Sequence, residues 1–251
     1  TVKTTKSVQR RIDARLLRTI KHEVKNKTLR SKIRRKNSTL LITNALMKRD
    51  FIEENLSLCS KLEYHMRKRG QKVVMVTSVG ENEGKSTIAA NLALALAQKN
   101  RRVVLLDCDF RKPALHKIME VSVDKEKNLT TYLQQEDADP TPYLLDTKKH
   151  GVTLGVSRNP GRNIAKLLNN GRLPALLQQL RTQADYVVLD TPPMLAAPDA
   201  EAIAAMADTA LLVVRSDFMP IDAINECLDR LRRSSPEVSG FVLNNHYTSL
   251  R

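Results

Sequence analysis

The sequence predicts a doubly wound α/β domain with a mostly parallel sheet, preceded by a basic helical arm. Two observations support this prediction: strand-like and helix-like segments alternate after Gly70, and the strand-like segments are near-continuous runs of Val and Leu. Such runs are typical of strands that helices bury on both faces, as in a parallel sheet. The predicted strands are residues 73–78, 102–107, 186–191, 209–215 and 240–244.

Helical periodicity indicates helices before and between these strands. The predicted helices are residues 50–69, 85–98, 172–183 and 220–233. The segment 119–170 is less regular, and it predicts a small hairpin near 143–157. We therefore divide the chain into an arm or linker over residues 1–49 and a folded domain over residues 50–251.

The net charge of +15 is concentrated at the start of the chain. Residues 1–36 hold 14 Lys and Arg against Asp13 and Glu23, and the remainder is nearly neutral. Apolar residues recur every four positions between these basic side chains, at Val8, Ile12, Leu16, Ile20 and Val24. This spacing predicts one apolar stripe on a helix. Such an arm suits an anionic membrane surface or nucleic acid, and a solvated linker is the alternative.

The composition excludes several classes of protein. Hydrophobic residues make up 41% and charged residues 27% of the 251 residues, which allows a sizeable core. No apolar run approaches the roughly 18 residues that a membrane-spanning helix needs. The three cysteines lie far apart without metal-ligand spacing, which argues against disulfides, zinc and iron–sulfur clusters and favours a reducing cytosol. Because the chain opens on Thr1 rather than Met, we expect it to be a piece of a longer protein.

The strongest motif is SVGENEGKST, from Ser78 to Thr87, between a predicted strand and a predicted helix. This is the context of a phosphate-binding loop, whose backbone N–H groups cradle phosphates at the start of a helix. Lys85 is then placed to reach the β- and γ-phosphates, and the Ser86 hydroxyl to hold Mg²⁺. The strict pattern requires glycine where Val79 stands. The expected nucleotide-binding residues of the loop are Gly80, Glu83, Gly84, Lys85, Ser86 and Thr87.

Two further predicted strands end in carboxylates. LLDCDFRKP places Asp107 and Asp109 on one face of the second strand, at the edge of the sheet where ligands bind. YVVLDTPP ends the third strand with Asp190. Carboxylates there serve as Mg²⁺ ligands and as a base for an attacking hydroxyl, although the Asp-x-Asp pair could also cap the next element. With the loop, these residues predict a P-loop NTPase site for ATP and Mg²⁺.

These three motifs, in this order, resemble those of the bacterial tyrosine kinases (BY-kinases) of capsular and exopolysaccharide synthesis. The resemblance covers about residues 50–246 and includes Arg111, Pro113, the TPP after Asp190 and the final GFVLN. It implies a MinD/ParA-like P-loop fold and an ATP- and Mg²⁺-dependent protein-tyrosine autokinase that regulates polysaccharide biosynthesis and export.

The resemblance also implies roles for individual residues. Lys85 and Ser86 would bind phosphates and Mg²⁺. Asp107 and Asp109 would share metal binding and deprotonation of the tyrosine hydroxyl, and Asp190 would orient a metal-bound water. The remaining expected nucleotide-binding residues are Arg111 and Asn244. The asparagine stands where relatives use an Asn near the adenine.

The basic arm resembles the juxtamembrane stretch of family members that carry a membrane chain-length regulator on the same polypeptide. This resemblance implies that the regulator domain, fused or separate, is a partner. Further expected partners are other copies of the chain, an anionic membrane surface and the polysaccharide-assembly machinery. The expected location is the cytoplasmic face of the bacterial inner membrane.

Two departures from the family pattern concern assembly and acceptors. The family helix before the first strand often carries E-x-x-R-x-x-R, which helps to form a ring. Glu53 matches this motif, but Leu56 and Cys59 stand in place of the arginines. The chain ends NNHYTSLR with Tyr247 alone, instead of the usual tyrosine cluster. Ring formation and the acceptor tyrosines therefore stay open.

Two alternatives to a tyrosine kinase are considered. A MinD/ParA-like ATPase switch would open its loop with a signature lysine, and no lysine stands between Lys72 and Lys85. A nucleotide-binding scaffold without tyrosine phosphorylation is favoured by the missing tyrosines and arginines, and opposed by the complete lysine, serine and aspartate set. We do not expect nucleic-acid binding, because aromatic residues make up only 4% and leave little for base stacking.

Overall fold

In the computed structural model, eight strands of the described residues form one sheet in the order β1-β8-β7-β2-β6-β3-β5-β4. The structure describes residues 11–23, 39–136, 139–147, 151–234 and 237–247. The strands are β1 (Leu16–Lys21), β2 (Val73–Ser78), β3 (Val103–Asp107), β4 (Leu145–Thr147), β5 (Val152–Gly155), β6 (Tyr186–Asp190), β7 (Thr209–Arg215) and β8 (Val238–His246). Adjacent strands run parallel except for the antiparallel pair β4–β5.

Helices cover both faces of this sheet, as the doubly wound prediction requires. They are α1 (Arg49–Lys68), α2 (Lys85–Gln98), α3 (Leu115–Ile118), α4 (Leu129–Gln134), α5 (Ile164–Asn169), α6 (Arg172–Gln183), α7 (Asp199–Ala204) and α8 (Ile221–Ser234). The first three pack with one core cluster and the last five with the other. Both faces of the central strands are therefore buried, which explains their continuous Val and Leu runs. In the described part of the chain, no helix has the length and apolarity to span a membrane.

The predicted strands and helices of the domain are confirmed, with ends that differ by at most two residues. The hairpin predicted near 143–157 is the β4–β5 pair. The helix predicted over 50–69 is α1, and it ends before Gly70, whose φ of +65° stops the helix. On α1, Cys59 is buried and Glu53 pairs with Arg49 of the same helix at 2.7 Å.

The helix predicted for the basic arm is wrong over Leu16–Lys21, which forms strand β1. The strand pairs in parallel with β8, while Leu17 and Ile20 pack among the side chains of α1 and α2. Tertiary pairing thus overrides the helical spacing. The ends of the predicted stripe, Val8 and Val24, lie outside the described residues.

The division of the chain at residue 49/50 stays a prediction. Nevertheless, part of the predicted arm belongs to the sheet. Asp13 contacts Arg232 of α8 at 2.8 Å, and the Ile42 N–H donates to Asn91 Oδ1 of α2 at 2.9 Å. Residues near the start and near the end of the predicted arm or linker are therefore held against the domain.

The strand order brings three motif-bearing strands side by side. β6 lies between β2 and β3, and all three are parallel, so their carboxyl ends meet at one edge. In the register of β3 and β6, Asp107 is opposite Asp190. Ligands bind at this edge in open parallel sheets. The fold therefore assembles the predicted loop and the predicted carboxylates at one place.

Candidate functional site

The loop between β2 and α2 turns tightly around Gly84. Gly84 has φ +92°, and an added Cβ would lie 2.3 Å from Asn244 Nδ2. The same amide nitrogen donates to the carbonyl of Glu83 at 2.8 Å. Glycine is favoured here because the positive φ strains any other residue, and an added side chain would also displace the Asn244 amide. The end of β8 therefore fixes the loop just before α2 begins at Lys85.

The Glu83 side chain points into the protein and braces the loop. It is 1% exposed, and its two oxygens accept the backbone N–H groups of Gly80 at 2.6 Å and Arg215 at 2.8 Å. Burial raises the pKa of this carboxyl group. Glu83 thus ties the loop to the end of β7, and its contribution to nucleotide binding would come through the backbone it holds.

Lys85 lies at the centre of the site. Its ammonium contacts Asp109 Oδ2 at 2.8 Å, Asp190 Oδ1 at 3.6 Å and the Ser86 hydroxyl at 3.2 Å. Burial alone would lower the pKa of Lys85, but Asp190 and Asp109 outweigh it and the net shift is upward. The lysine is therefore charged, and it compensates the carboxylate that ends β6 and one that follows β3.

Asp107 combines a structural role with a free oxygen. Its Oδ2 accepts the backbone N–H groups of Ala114 at 3.1 Å and Leu115 at 3.0 Å, where α3 begins. The capping alternative from the sequence is thus present for this oxygen. Asp107 Oδ1 is buried and has no hydrogen-bond partner among the described residues. Burial, followed by the charge of Asp190, raises the pKa of Asp107 well above its usual value.

Asp190 is also fully buried, and neither of its oxygens has a hydrogen-bond partner within the described part of the chain. Burial raises its pKa, while Lys85 acts in the opposite direction. A buried carboxylate without hydrogen bonds is costly. These unsatisfied oxygens are therefore suited to a cation.

The carboxylates fit a magnesium ion that is shared with a bound phosphate. Among the described residues, no three acidic, His or Cys side chains are grouped closely enough to hold a metal alone. Mg²⁺ usually takes only one or two carboxylates and completes its octahedral shell with phosphate oxygens and water. The oxygens of Asp107 and Asp190 that accept no hydrogen bond, and the hydroxyl of Ser86, are hard donors of the required kind.

A cavity of about 580 Å³ opens at this edge of the sheet. Of the predicted site residues, it is lined by Gly84, Lys85, Ser86, Thr87, Asp109 and Arg111. Asp107 and Asp190 are buried behind this wall, and Gly80, Glu83 and Asn244 support the loop from outside it. An elongated, charged ligand can thus lie along the loop with one end at Lys85 and Asp109.

The structure shows a partner for one predicted residue and brings to the cavity others that the sequence reasoning missed. Arg111, a predicted nucleotide-binding residue, forms an ion pair with the buried Asp199 at 2.6 Å. Glu81, Lys112 and Arg215 also line the cavity. Lys112 directly follows Arg111 in the second motif, LLDCDFRKP, so its proximity could have been expected. Nothing in the sequence around Arg215 signals its position.

Comparisons with known proteins point to a single family. Residues 71–239 match the family described as "AAA domain". The tyrosine-protein kinase YwqD of Bacillus subtilis is 30% identical over 192 residues, which cover 76% of this chain and 80% of that protein. The tyrosine-protein kinase Etk of Escherichia coli K12 is 28% identical over 193 residues, or 77% of this chain and 26% of Etk. The chain thus spans about a quarter of the length of Etk.

The solved structure of the BceF tyrosine kinase domain has a similar fold over nearly the whole chain. Its TM-score is 0.84 at 25% sequence identity, with 97% of this chain and 98% of that chain covered. The resemblance drawn from three short motifs therefore extends over the complete arrangement of strands and helices.

Proposed function

Because the chain belongs to the bacterial tyrosine-protein kinase family, we propose that it transfers the γ-phosphoryl group of ATP to tyrosine hydroxyls of proteins in a Mg²⁺-dependent reaction. The observation that supports this most directly is the position of Lys85, which lines the cavity and contacts both Asp109 and Asp190. An anionic phosphate can compete for this lysine and draw it away from the carboxylates.

The residues of the chain would act mainly by positioning and by neutralising charge. The N–H groups of the loop and the start of α2 would hold the phosphates, and Lys85 would bridge toward the γ-phosphate. Asp107, Asp109, Asp190 and Ser86 are the residues that would hold Mg²⁺, which neutralises charge on the transferring phosphoryl group. Asp109 faces the cavity, so it and the adjacent Asp107 would share removal of the tyrosine proton.

Further proposed features concern the whole protein rather than this site. We propose the cytoplasmic face of the inner membrane as its location, with a membrane chain-length-regulator domain, fused or separate, as partner. The charge of residues 1–36 supports contact with an anionic membrane surface. The short share of Etk that the chain spans supports a larger protein. Other copies of the chain and the polysaccharide-assembly machinery complete the proposed partners.

The decisive experiment incubates the purified chain with ATP and Mg²⁺, measures ADP and maps phosphorylated residues by mass spectrometry. Lys85→Ala should abolish phosphoryl transfer, because no other cation contacts both Asp109 and Asp190 among the described residues. Lys117→Ala is the matched control, since Lys117 is exposed and does not line the cavity. Asp107→Asn should reduce transfer severely with less effect on nucleotide binding.

The outcomes separate the proposal from its alternatives. Phosphotyrosine in the wild type and in Lys117→Ala, but not in Lys85→Ala, would support the kinase. ADP without phosphotyrosine, even with an added tyrosine peptide, would favour an ATPase switch. ATP binding with neither product would favour a scaffold. Full activity of Lys85→Ala or Asp107→Asn would refute the assignment of the site.

A further inference from the structure

Glu81 and Lys112 form an ion pair across the mouth of the cavity. Lys112 Nζ lies 2.7 Å from each carboxylate oxygen of Glu81. Glu81 belongs to the loop after β2, and Lys112 belongs to the loop after β3. Because β6 lies between these strands, the ion pair spans the end of the strand that carries Asp190. It therefore crosses the space in which the phosphates of a nucleotide would lie.

The ion pair is easily broken, because both side chains are largely in solvent. The Lys112 side chain is 69% exposed and the Glu81 side chain 49% exposed, and both line the cavity. Exposed pairs of this kind contribute little to stability, since water screens the charges and the long side chains lose entropy. A ligand that offers Lys112 a stronger anion can therefore displace Glu81 with little loss of free energy.

The backbone of Lys112 is fixed, although its ammonium is not. Its N–H donates to Asp109 Oδ1 at 3.0 Å, while the other oxygen of Asp109 contacts Lys85. The backbone of Lys112 is thus anchored to Asp109, the carboxylate that faces the proposed position of the γ-phosphate. Its flexible stem lets the ammonium swing between Glu81 and that position.

We propose that Lys112 is a binding residue for the terminal phosphate of a nucleoside triphosphate, and that Glu81 holds it in the absence of the nucleotide. This inference rests on the proposed function only in requiring that the cavity bind nucleotide. The polyphosphate brings several negative charges beside Glu81, which repel its carboxylate and attract Lys112. The phosphates of a nucleoside diphosphate, held by the loop and by Lys85, would not extend to the loop after β3 that carries Lys112. Lys112 therefore distinguishes triphosphate from diphosphate.

The test measures the binding of ADP and of a non-hydrolysable ATP analogue, both with Mg²⁺, by isothermal titration calorimetry. Lys112→Met should weaken the binding of the analogue about 5–20-fold and change ADP binding by less than about 2-fold. Glu81→Gln should strengthen the binding of the analogue about 2–5-fold, because it removes both a competitor and a repulsive charge. Lys117→Met, with the same change in net charge, should leave both affinities unchanged.

The double variant decides whether Lys112 acts directly. If Lys112 only braced Glu81, Lys112→Met would have no further effect once Glu81 is Gln. We expect the full loss of analogue affinity to persist in the Glu81→Gln background. Its disappearance, or equal losses for ADP and the analogue, would overturn the inference. Preserved ADP binding shows that each variant is folded.

These measurements need no acceptor tyrosine. A wild-type chain that binds both nucleotides but phosphorylates nothing would contradict the proposed kinase and leave the test of Lys112 intact. A wild-type chain that binds neither nucleotide would overturn both proposals.

Discussion

The docking of β1 on β8 depends on Gly240. This residue has φ +142°, and an added Cβ would lie 2.3 Å from the Arg15 carbonyl oxygen and 3.1 Å from Leu17 Cγ. The Arg15 oxygen accepts the N–H of Phe241 at 2.9 Å. The substitution Gly240→Ala should therefore push the two strands apart where their pairing begins.

The expected loss of stability can be worked from these contacts. The positive φ costs alanine about 1–2 kcal/mol, and the lost hydrogen bond of Phe241 costs about 1–2 kcal/mol. Leu17 is 1% exposed, and its partial exposure adds about 1–2 kcal/mol. We expect urea titration to show a free energy of unfolding about 3–6 kcal/mol lower. Limited proteolysis should cut within residues 11–23 before the rest of the domain.

Gly70→Ala is the matched control for this experiment. Gly70 also has a positive φ, +65°, but no atom lies within 4 Å of an added Cβ. The free energy of unfolding of Gly70→Ala should fall only by the cost of the positive φ, about 1–2 kcal/mol. Equal losses for the two variants, with residues 11–23 equally protected from protease, would refute the argument that β1 needs the close approach at Gly240.

Three further predictions concern the loop, the opposite edge of the sheet and a thiol. Gly84→Ala should weaken ATP binding at least about 10-fold in calorimetry, and Asn244→Ala should restore only part of it, because the positive φ remains. Asp208→Asn should lower the free energy of unfolding by about 1–3 kcal/mol at pH 7, since Asp208 accepts two hydrogen bonds from Arg181. These hydrogen bonds hold the pKa of Asp208 below its ordinary value of 3.8 against the effect of burial, so chemical denaturation should show this difference shrinking as the pH falls below 3.8. Burial raises the pKa of Cys59 to about 12, so iodoacetamide at pH 8 should label it only in urea-unfolded protein, and labelling of the folded chain would contradict its burial.

The sequence was sufficient for the domain and misleading for β1, for an identifiable reason. In a regular strand with one buried face every second side chain is buried, but in β1 the buried residues Leu17 and Ile20 are three apart. Register shifts on both sides of Thr19 produce this spacing. The spacing of buried residues in this irregular strand is thus close to that of a helix. The segment forms a strand because it pairs with the edge of β8, and that pairing cannot be read from its own sequence. The central strands have no such ambiguity, because both of their faces are apolar.

The candidate site was predictable wherever its chemistry is local in sequence. Lys85 and Ser86 follow the loop directly, and Asp109 follows a strand of the same sheet, so their meeting could be expected. The ion pair between Glu81 and Lys112 depends on the strand order, which no local pattern specifies. The inward orientation of Glu83 was equally hidden, because its partners lie in the loop backbone and at the distant end of β7.

The pairing of the first strand with the last also has a consequence for biosynthesis. Asp13 contacts Arg232, which lies 219 residues later. At about 5–20 residues per second, a ribosome needs on the order of ten seconds or more to reach that partner. The backbone of β1 stays unpaired during this time, since β8 has not emerged. The positive charge around it opposes association between nascent chains. The charge of the basic segment thus lowers the tendency of the unpaired strand to aggregate before β8 is made.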